Sequence, residues 1–85
     1  MKPIADMTRE EFRAYERAFN KALGHRIRER RLSLDWTQAQ LAAAAACSAT
    51  CVSDIEHGSR VSGASRLVEI ARALGVTPGS LLPPP

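Results

Sequence analysis

The sequence predicts an all-α fold. Apolar residues recur at spacings of three and four along much of the chain, which is the period of a helix with one buried face. Serine or threonine stands where several of these segments begin, and glycine stands where two of them end, as is typical of helix caps. No stretch alternates between apolar and polar residues as a half-buried strand does. The 85 residues are therefore expected to form one small helical domain.

The first predicted helix begins near Thr8, and Glu11 completes a capping box three residues later. An apolar stripe follows on one face of this helix: Phe12, Tyr15, Phe19, Leu23 and Ile27. Gly24 costs about 1 kcal/mol in a helix interior, so the sequence allows either one long helix or two helices with a break. The aromatic residues of the stripe, Phe12, Tyr15 and Phe19, either pack on their own domain or form a contact between subunits in a dimer.

Residues 36–58 predict two short helices that are joined by a tight turn. Thr37 caps the first of them, while Ser48 caps the second, which ends before Gly58. The alanines at residues 42–46 have the small side chains that let two helices cross closely. This is the arrangement of a helix-turn-helix, in which the second helix enters the major groove of DNA.

A loop at residues 59–62 is expected to lead into a helix at about residues 63–74. The inner face of that helix carries Leu67, Ile70, Ala71 and Leu74. Gly75 stands just past its end, where a left-handed glycine is common. Pro78 then opens a short last helix, because proline is favoured at the first helical position. Two further residues are expected to fold back on the core: Leu81 and Leu82.

The chain carries a formal net charge of +3, and this excess lies in its first part. Residues 1–35 contain nine Lys or Arg and six Asp or Glu, whereas residues 36–85 contain three of each. The densest basic run is residues 26–31. Such a run suits an anionic partner, and a solvated helix face has the same composition.

The two cysteines, Cys47 and Cys51, predict neither a disulfide framework nor a zinc site, which needs about four ligands. We expect Cys47 to be a small core residue and Cys51 to be partly exposed. No metal or other cofactor is expected. The chain shows no signal-peptide pattern and no apolar run of about 18 residues, so we expect no membrane segment and a cytoplasmic location.

The order of these features resembles the phage repressor and Cro-type helix-turn-helix family, which is also called the XRE family. The resemblance covers roughly residues 23–82 without a gap. It rests on a series of residues in register: Ile27, Arg31, Thr37, Gln38, Leu41, Ala42, Ala45, Ser48, Val52, Ser53, Ile55, Glu56, Gly58, Leu67, Ile70, Ala71, Ala73, Leu74, Gly75 and Val76. It implies a compact five-helix lambda-repressor-like domain over residues 23–82, with an N-terminal helical extension over residues 1–22.

The resemblance also implies roles for individual residues. Gln38 matches the residue that grips a phosphate, and Arg31 and Glu56 match a structural salt bridge between the first and third helices. The positions that face base edges in the family are matched by Ala49, Thr50, Ser53 and Asp54. The loop that touches the DNA backbone in the family is matched by Ser59 and Arg60. The predicted DNA-binding residues are, in full, Thr37, Gln38, Ser48, Ala49, Thr50, Ser53, Asp54, His57, Ser59 and Arg60.

Two departures from the family pattern concern the turn and the second helix of the motif, at about residues 48–57, which we call the reading helix. The family usually has glycine where this chain has Ala46, so the turn is either strained or differently shaped. The reading helix lacks the Arg, Lys, Gln or Asn that make bidentate contacts to bases. Even when Arg31 neutralises Glu56, Asp54 remains close to the DNA. Affinity is therefore expected to come from phosphate contacts, with Arg26 or Arg28 as further candidates.

The sequence thus predicts a sequence-specific DNA-binding transcriptional regulator, a repressor that binds paired half-sites as a homodimer through the helix at about residues 48–57. The alternative is a protein-interaction module, such as an antitoxin or antirepressor, that keeps the fold with weak DNA reading. The expected partners are double-stranded DNA, a second copy of the chain and, for the alternative function, another protein. An enzyme is not expected, because the thiols, carboxylates and histidines show no spacing that suggests a catalytic site.

Overall fold

The computed structural model describes residues 2–60 and 63–84. Within this part of the chain the fold is all-α, as predicted, and no strand occurs. A short 3₁₀ turn at Ile4–Asp6 precedes five helices: α1 (Arg9–Ser33), α2 (Gln38–Ala44), α3 (Ala49–Glu56), α4 (Ala64–Leu74) and α5 (Pro78–Leu81). Val61 and Ser62 of the predicted loop lie outside the described residues. None of the helices so described is both long and apolar enough to cross a membrane.

The first helix is one continuous element, which settles the alternative that Gly24 left open. Gly24 is buried in the middle of α1, where α1 crosses α3. A Cβ atom at this position would clash with the Ile55 carbonyl oxygen and would lie 2.5 Å from the carbonyl oxygen of Glu56. The glycine therefore serves a close approach of two helices and not a kink. It brings the backbone of α3 directly against α1.

The helix ends follow from side-chain chemistry that the sequence predicts. Thr8 and Thr37 each accept a hydrogen bond from the backbone N–H three residues on, and the side chains of Glu11 and Gln40 complete the two capping boxes. Ser48 caps α3 in the same way through the N–H of Cys51, at 3.0 Å. These bonds satisfy N–H groups that the helices leave without an internal partner.

The hydrophobic core lies where α1 to α5 meet. It consists of Leu23, Ile27, Leu41, Ala42, Ala45, Cys51, Val52, Ile55, Ile70, Ala71, Leu74 and Leu81, with Phe19 and Trp36 among the partly buried residues at its edge. The predicted inner face of α4 is confirmed for Ile70, Ala71 and Leu74, which are buried. Leu81 also folds onto the core, but Leu82 is 41% exposed, so the prediction for Leu82 was wrong. The chain leaves α5 at Leu82 in an extended conformation, which directs this side chain outward.

The prediction that Cys51 is partly exposed was wrong, whereas Cys47 packs against the core as expected. Cys51 is buried and Cys47 is half-buried. Cys51 belongs to the inward face of α3 together with Val52 and Ile55, whereas Cys47 lies in the turn before that helix. Burial raises the pKa of the Cys47 thiol and the neighbouring Cys51 raises it further, while Arg66 acts in the opposite direction.

The turn between α2 and α3 has the backbone conformation that a glycine would take. Ala46 has a φ of 56°, in the left-handed region that costs an L-residue with a Cβ roughly 1–2 kcal/mol. Of the two possibilities raised by the sequence, the strained turn is therefore the one that the structure adopts. The chain reverses here so that α2 and α3 pack against each other around Leu41, Ala45 and Val52.

Candidate nucleic-acid interface

The outward face of α3 is formed by the residues that the sequence singles out for base contact. Ala49 and Thr50 are exposed, and Ser53 and Asp54 are half-buried at the next turn. The opposite face, with Cys51, Val52, Ile55 and Glu56, is buried. The helix thus presents small and short polar side chains, which can touch a thymine methyl or accept from a cytosine amino group.

A buried ion pair fixes α3 against α1. The Arg31 Nε lies 2.7 Å from Glu56 Oε2, and Arg31 Nη2 lies 2.9 Å from Glu56 Oε1. Each residue is only 7% exposed, and Arg31 also donates to the Trp36 carbonyl oxygen at 2.8 Å. The bidentate geometry satisfies both carboxylate oxygens, and hydrogen bonding to Glu56 raises the pKa of Arg31. The pair joins the helix before the motif to the reading helix.

Gln38 is held by the same carboxylate. Its Nε2 donates to Glu56 Oε1 at 3.1 Å, so Glu56 binds both Arg31 and the residue that is predicted to grip a phosphate. Gln38 also lines a cleft of about 200 Å³ together with Arg28, Arg31, Glu56 and His57. The amide is therefore anchored at the edge of α3 and not free in solvent. Sequence reasoning did not find this bond, because the two residues are 18 positions apart.

Of the two extra cations proposed from the sequence, only Arg28 lies beside this cleft. Arg28 is exposed there. Arg26 instead donates to the carbonyl oxygen of Ser80 in α5, at 3.4 Å. Arg30 does the same for Leu74 at the end of α4, at 3.0 Å. The basic run 26–31 is thus divided between the cleft and the carboxyl ends of the last two helices, where cations are favoured.

Asp54 has a cationic neighbour that the sequence did not reveal. The Arg60 Nη2 lies 3.4 Å from Asp54 Oδ2, and Arg60 Nη1 lies 3.8 Å from the Cys51 sulfur. With Glu56 paired to Arg31, both acidic residues of α3 have a basic partner. The uncompensated charge expected at Asp54 is therefore not present in this structure.

The remaining predicted contact residues lie around the same surface, and most of them also serve the backbone. The hydroxyls of Thr37 and Ser48 accept the cap hydrogen bonds of α2 and α3. Ser59 donates its hydroxyl to the Asp54 carbonyl oxygen at 3.1 Å. The exposed His57 has its Nδ1 2.7 Å from the Ser53 carbonyl oxygen, which can only accept, so Nδ1 donates.

The aromatic residues of the N-terminal stripe lie away from this surface. Phe12 is 39% exposed, whereas Tyr15 and Phe19 are half-buried. The rings of Tyr15 and Phe19 stack with their centroids 6.4 Å apart. Together with Ile4 and Glu16 they line a groove of about 300 Å³. Among residues 2–60 and 63–84 no group of three or more His, Cys, Asp or Glu side chains is arranged to hold a metal ion.

Comparison with known proteins assigns this architecture to a family. A family model described as a helix-turn-helix domain matches residues 22–83. No curated protein gives a match.

Three solved structures are similar over most of the chain. The restriction-modification controller protein C.AhdI from Aeromonas hydrophila has a TM-score of 0.75 and 28% identity, and the alignment covers 76% of this chain and 98% of that one. The clp gene regulator ClgR from C. glutamicum has a TM-score of 0.70 and 27% identity, with 74% and 82% covered. The hypothetical transcription factor NHTF from Neisseria has a TM-score of 0.75 and 31% identity, with 82% and 80% covered.

These relatives and the matched family share the helix-turn-helix geometry built above from α2, the turn at Ala46 and α3. The family match extends over more than half of the chain. The protein therefore belongs to the helix-turn-helix domain family and is an XRE-type DNA-binding transcriptional regulator.

Proposed function

We propose that the protein is a repressor that binds paired half-sites in double-stranded DNA as a homodimer, through the helix at residues 48–57. The observation that carries this proposal is the set of polar side chains around α3. The outward face of α3 lies at its centre, Arg60 lies beside Asp54, and Gln38 and Arg28 lie at the edge near Glu56. Repression requires only that such a surface occupies a promoter, and we propose that it does so in the cytoplasm.

The surface divides into base-reading and phosphate-binding parts. The exposed side chain of Thr50 and the carboxylate of Asp54 reach toward base edges, where they favour thymine and cytosine. Arg28, Arg60 and Gln38 lie around the helix and supply sequence-independent contacts to phosphates. Short side chains on the reading helix make the second group the main source of affinity.

The size of this surface supports the proposal of a homodimer. One reading helix covers only a few base pairs, and helix-turn-helix proteins gain affinity by placing two such helices on half-sites about 34–36 Å apart. We propose Phe12, Tyr15 and Phe19 as the dimer contact. Residues 1–22 then act as an extension that brings two copies together, and residues 23–82 act as the DNA-binding domain.

The position of the groove lined by Phe12, Tyr15 and Phe19 supports this division between a dimer contact and a DNA-binding domain. Phe19 and Arg28 are nine residues apart on α1, which is two and a half turns, so they lie on opposite sides of the helix. Arg28 lies beside Gln38 and His57. A second copy on the groove therefore leaves the DNA surface uncovered.

Binding to DNA selected from a random library tests the sequence-specific part of the proposal. In fluorescence anisotropy the selected site is expected to bind more tightly than random DNA, with an affinity that falls steeply as salt is raised. Thr50→Ala is expected to change the sequence preference, and Arg28→Ala is expected to weaken all sequences alike. Equal binding to selected and random DNA contradicts the proposal.

The homodimer and the repressor role have their own measurements. Light scattering on the full chain is expected to show a dimer that Phe12→Ser weakens, while the affinity for an isolated half-site stays unchanged. A reporter gene with the selected site at its promoter is expected to lose expression when the protein is produced. A chain that remains dimeric after Phe12→Ser rules out the stripe as the contact, and a rise in expression rules out repression.

The groove also favours a second candidate function, a protein-interaction module such as an antitoxin or antirepressor. An apolar groove with an exposed phenylalanine is a typical protein-binding surface. This function predicts weak DNA reading, with no preference for a selected site over random DNA. The anisotropy measurement therefore distinguishes the two candidates.

A further inference from the structure

The ion pair between Asp54 and Arg60 is held by a local backbone arrangement. Gly58 has a φ of 75°, and this left-handed residue turns the chain back along α3. The next residue is then fixed to that helix, because both the N–H and the hydroxyl of Ser59 donate to the Asp54 carbonyl oxygen, at 3.0 and 3.1 Å. Arg60 follows directly and is thereby directed to the Asp54 side chain.

The glycine in this arrangement has no simple substitute. A Cβ at Gly58 would lie 2.9 Å from the Cα of Lys21 in α1, so both the backbone conformation and the space require glycine. The loop is consequently clamped between α1 and α3. Its cation lies beside the reading helix before any DNA is present.

The guanidinium of Arg60 covers one turn of α3. It reaches the Cys51 sulfur with one nitrogen and the Asp54 carboxylate with another, at 3.8 and 3.4 Å. The side chains of Arg60 and Asp54 are 52% and 39% exposed. A pair with this exposure is individually weak, so a stronger anion can displace its carboxylate.

We propose that Asp54 and Arg60 form a specificity gate. In the free protein the Asp54 carboxylate pairs with the Arg60 guanidinium, and when the protein binds DNA a phosphate replaces the carboxylate there. A phosphate that takes over Arg60 leaves the carboxylate of Asp54 facing the base edges without its cation. A cytosine at that position donates its amino group to the carboxylate. Guanine and thymine present no hydrogen-bond donor in the major groove, so they leave the negative charge of Asp54 close to the DNA backbone without a partner, and binding is weakened.

This inference rests on the proposed sequence-specific binding and deepens it. It assigns the discrimination between bases to one exchange, in which Arg60 leaves Asp54 for a DNA phosphate. It also explains the benefit of an acidic residue on a DNA-reading helix. Asp54 lowers the affinity for all sequences, and a matching base restores it. The gate therefore acts by weakening the wrong complexes more than the correct one.

Asp54→Asn is the central variant, because it keeps the shape of the side chain and removes its charge. We expect about a tenfold rise in affinity for random DNA and no change for the selected site, so that the ratio of specific to non-specific affinity falls about tenfold. A new selection from a random library is expected to lose its cytosine preference at one position of each half-site. Glu29→Gln is the matched control, since it removes one negative charge from an exposed site on α1 and should affect all sequences equally.

The coupling between the two residues is measured with Arg60→Ala and the double variant. Arg60→Ala is expected to weaken binding to all sequences. It should also lower the salt slope, which is the steepness with which the logarithm of affinity falls with the logarithm of salt concentration, by about one. The gain from Asp54→Asn on random DNA is expected to be smaller in the Arg60→Ala background, because no ion pair then remains to be lost in the free protein. Circular dichroism on each variant checks that the exposed substitutions leave the fold intact.

Three outcomes decide between the gate and its alternatives. An unchanged specificity ratio in Asp54→Asn overturns the gate and leaves the proposed function standing. An equal gain from Asp54→Asn in both backgrounds shows that Asp54 acts without Arg60, and this also overturns it. A wild-type chain that shows no sequence preference overturns the proposed function and the gate together.

Discussion

Arg31 and Glu56 join α1 to the reading helix through two hydrogen bonds of 2.7 and 2.9 Å, at a site where each residue is 7% exposed. The same carboxylate also accepts from Gln38 at 3.1 Å. One acidic residue therefore links the position of α3 to the position of a predicted phosphate contact. A change at Glu56 is expected to affect both folding and DNA binding.

Glu56→Ala should lower the free energy of unfolding by about 3–5 kcal/mol, because it leaves the buried guanidinium of Arg31 without its carboxylate. Urea unfolding followed by circular dichroism measures this loss. Glu29→Ala is the control, since the Glu29 side chain is 63% exposed and its removal should change stability by less than about 0.5 kcal/mol. Similar losses for the two variants are incompatible with a structural role for the buried pair.

Arg28→Ala should weaken binding to every DNA sequence and lower the salt slope by about one, because Arg28 lies at the cleft beside Gln38 and His57. Arg26→Ala is a matched control on the same helix. Arg26 is directed to the Ser80 carbonyl oxygen, so its removal should leave the slope unchanged. Salt titrations by anisotropy compare the two, and a lower slope for Arg26→Ala alone contradicts the placement of the DNA surface.

Gly24→Ala should destabilise the protein by about 2 kcal/mol. The new Cβ must be accommodated against the carbonyl oxygens of Ile55 and Glu56, which costs about 3 kcal/mol for overpacking, and the gain in helix propensity returns about 1 kcal/mol. Gly79→Ala provides the comparison, because no atom lies within 4 Å of a Cβ there. Thermal unfolding measures both variants. A Gly24→Ala protein as stable as Gly79→Ala rules out a close crossing of α1 and α3.

Ala46→Gly should stabilise the protein by about 1 kcal/mol, because glycine takes the left-handed conformation at φ 56° without steric cost. Ala43→Gly, in the exposed last turn of α2, should have the opposite effect and cost about 0.5–1 kcal/mol. The denaturant concentration at the midpoint of unfolding should rise for Ala46→Gly and fall for Ala43→Gly. A destabilised Ala46→Gly variant contradicts the strain assigned to the turn.

Much of the helical framework could be predicted, because it depends on residues that are close in sequence. Thr8, Thr37 and Ser48 cap the helices through bonds to the N–H three positions on. Gly75 ends α4 in the left-handed conformation, with a φ of 71°. The outward positions of Ala49 and Thr50 follow from the helical period once Val52 and Ile55 are assigned to the core.

Other features depend on which helix packs against a residue, and the sequence around that residue does not specify its tertiary neighbour. The sequence could not choose between a break and a crossing at Gly24, because the choice rests on the backbone of α3. The burial of Cys51 is different, because Cys51 lies one helical turn before Ile55 and the helical period alone places it on the inner face.

The sequence by itself determined the helices, their caps and the composition of the reading face, because hydrogen bonds and side-chain periodicity over three or four residues specify them. Tertiary structure decided the electrostatics of that face. Arg60 reaches Asp54 only because Gly58 and Ser59 fold the loop back on α3, and Gln38 reaches Glu56 only because α2 and α3 pack together. Polar groups that no helical period pairs become partners when packing brings them within hydrogen-bond distance.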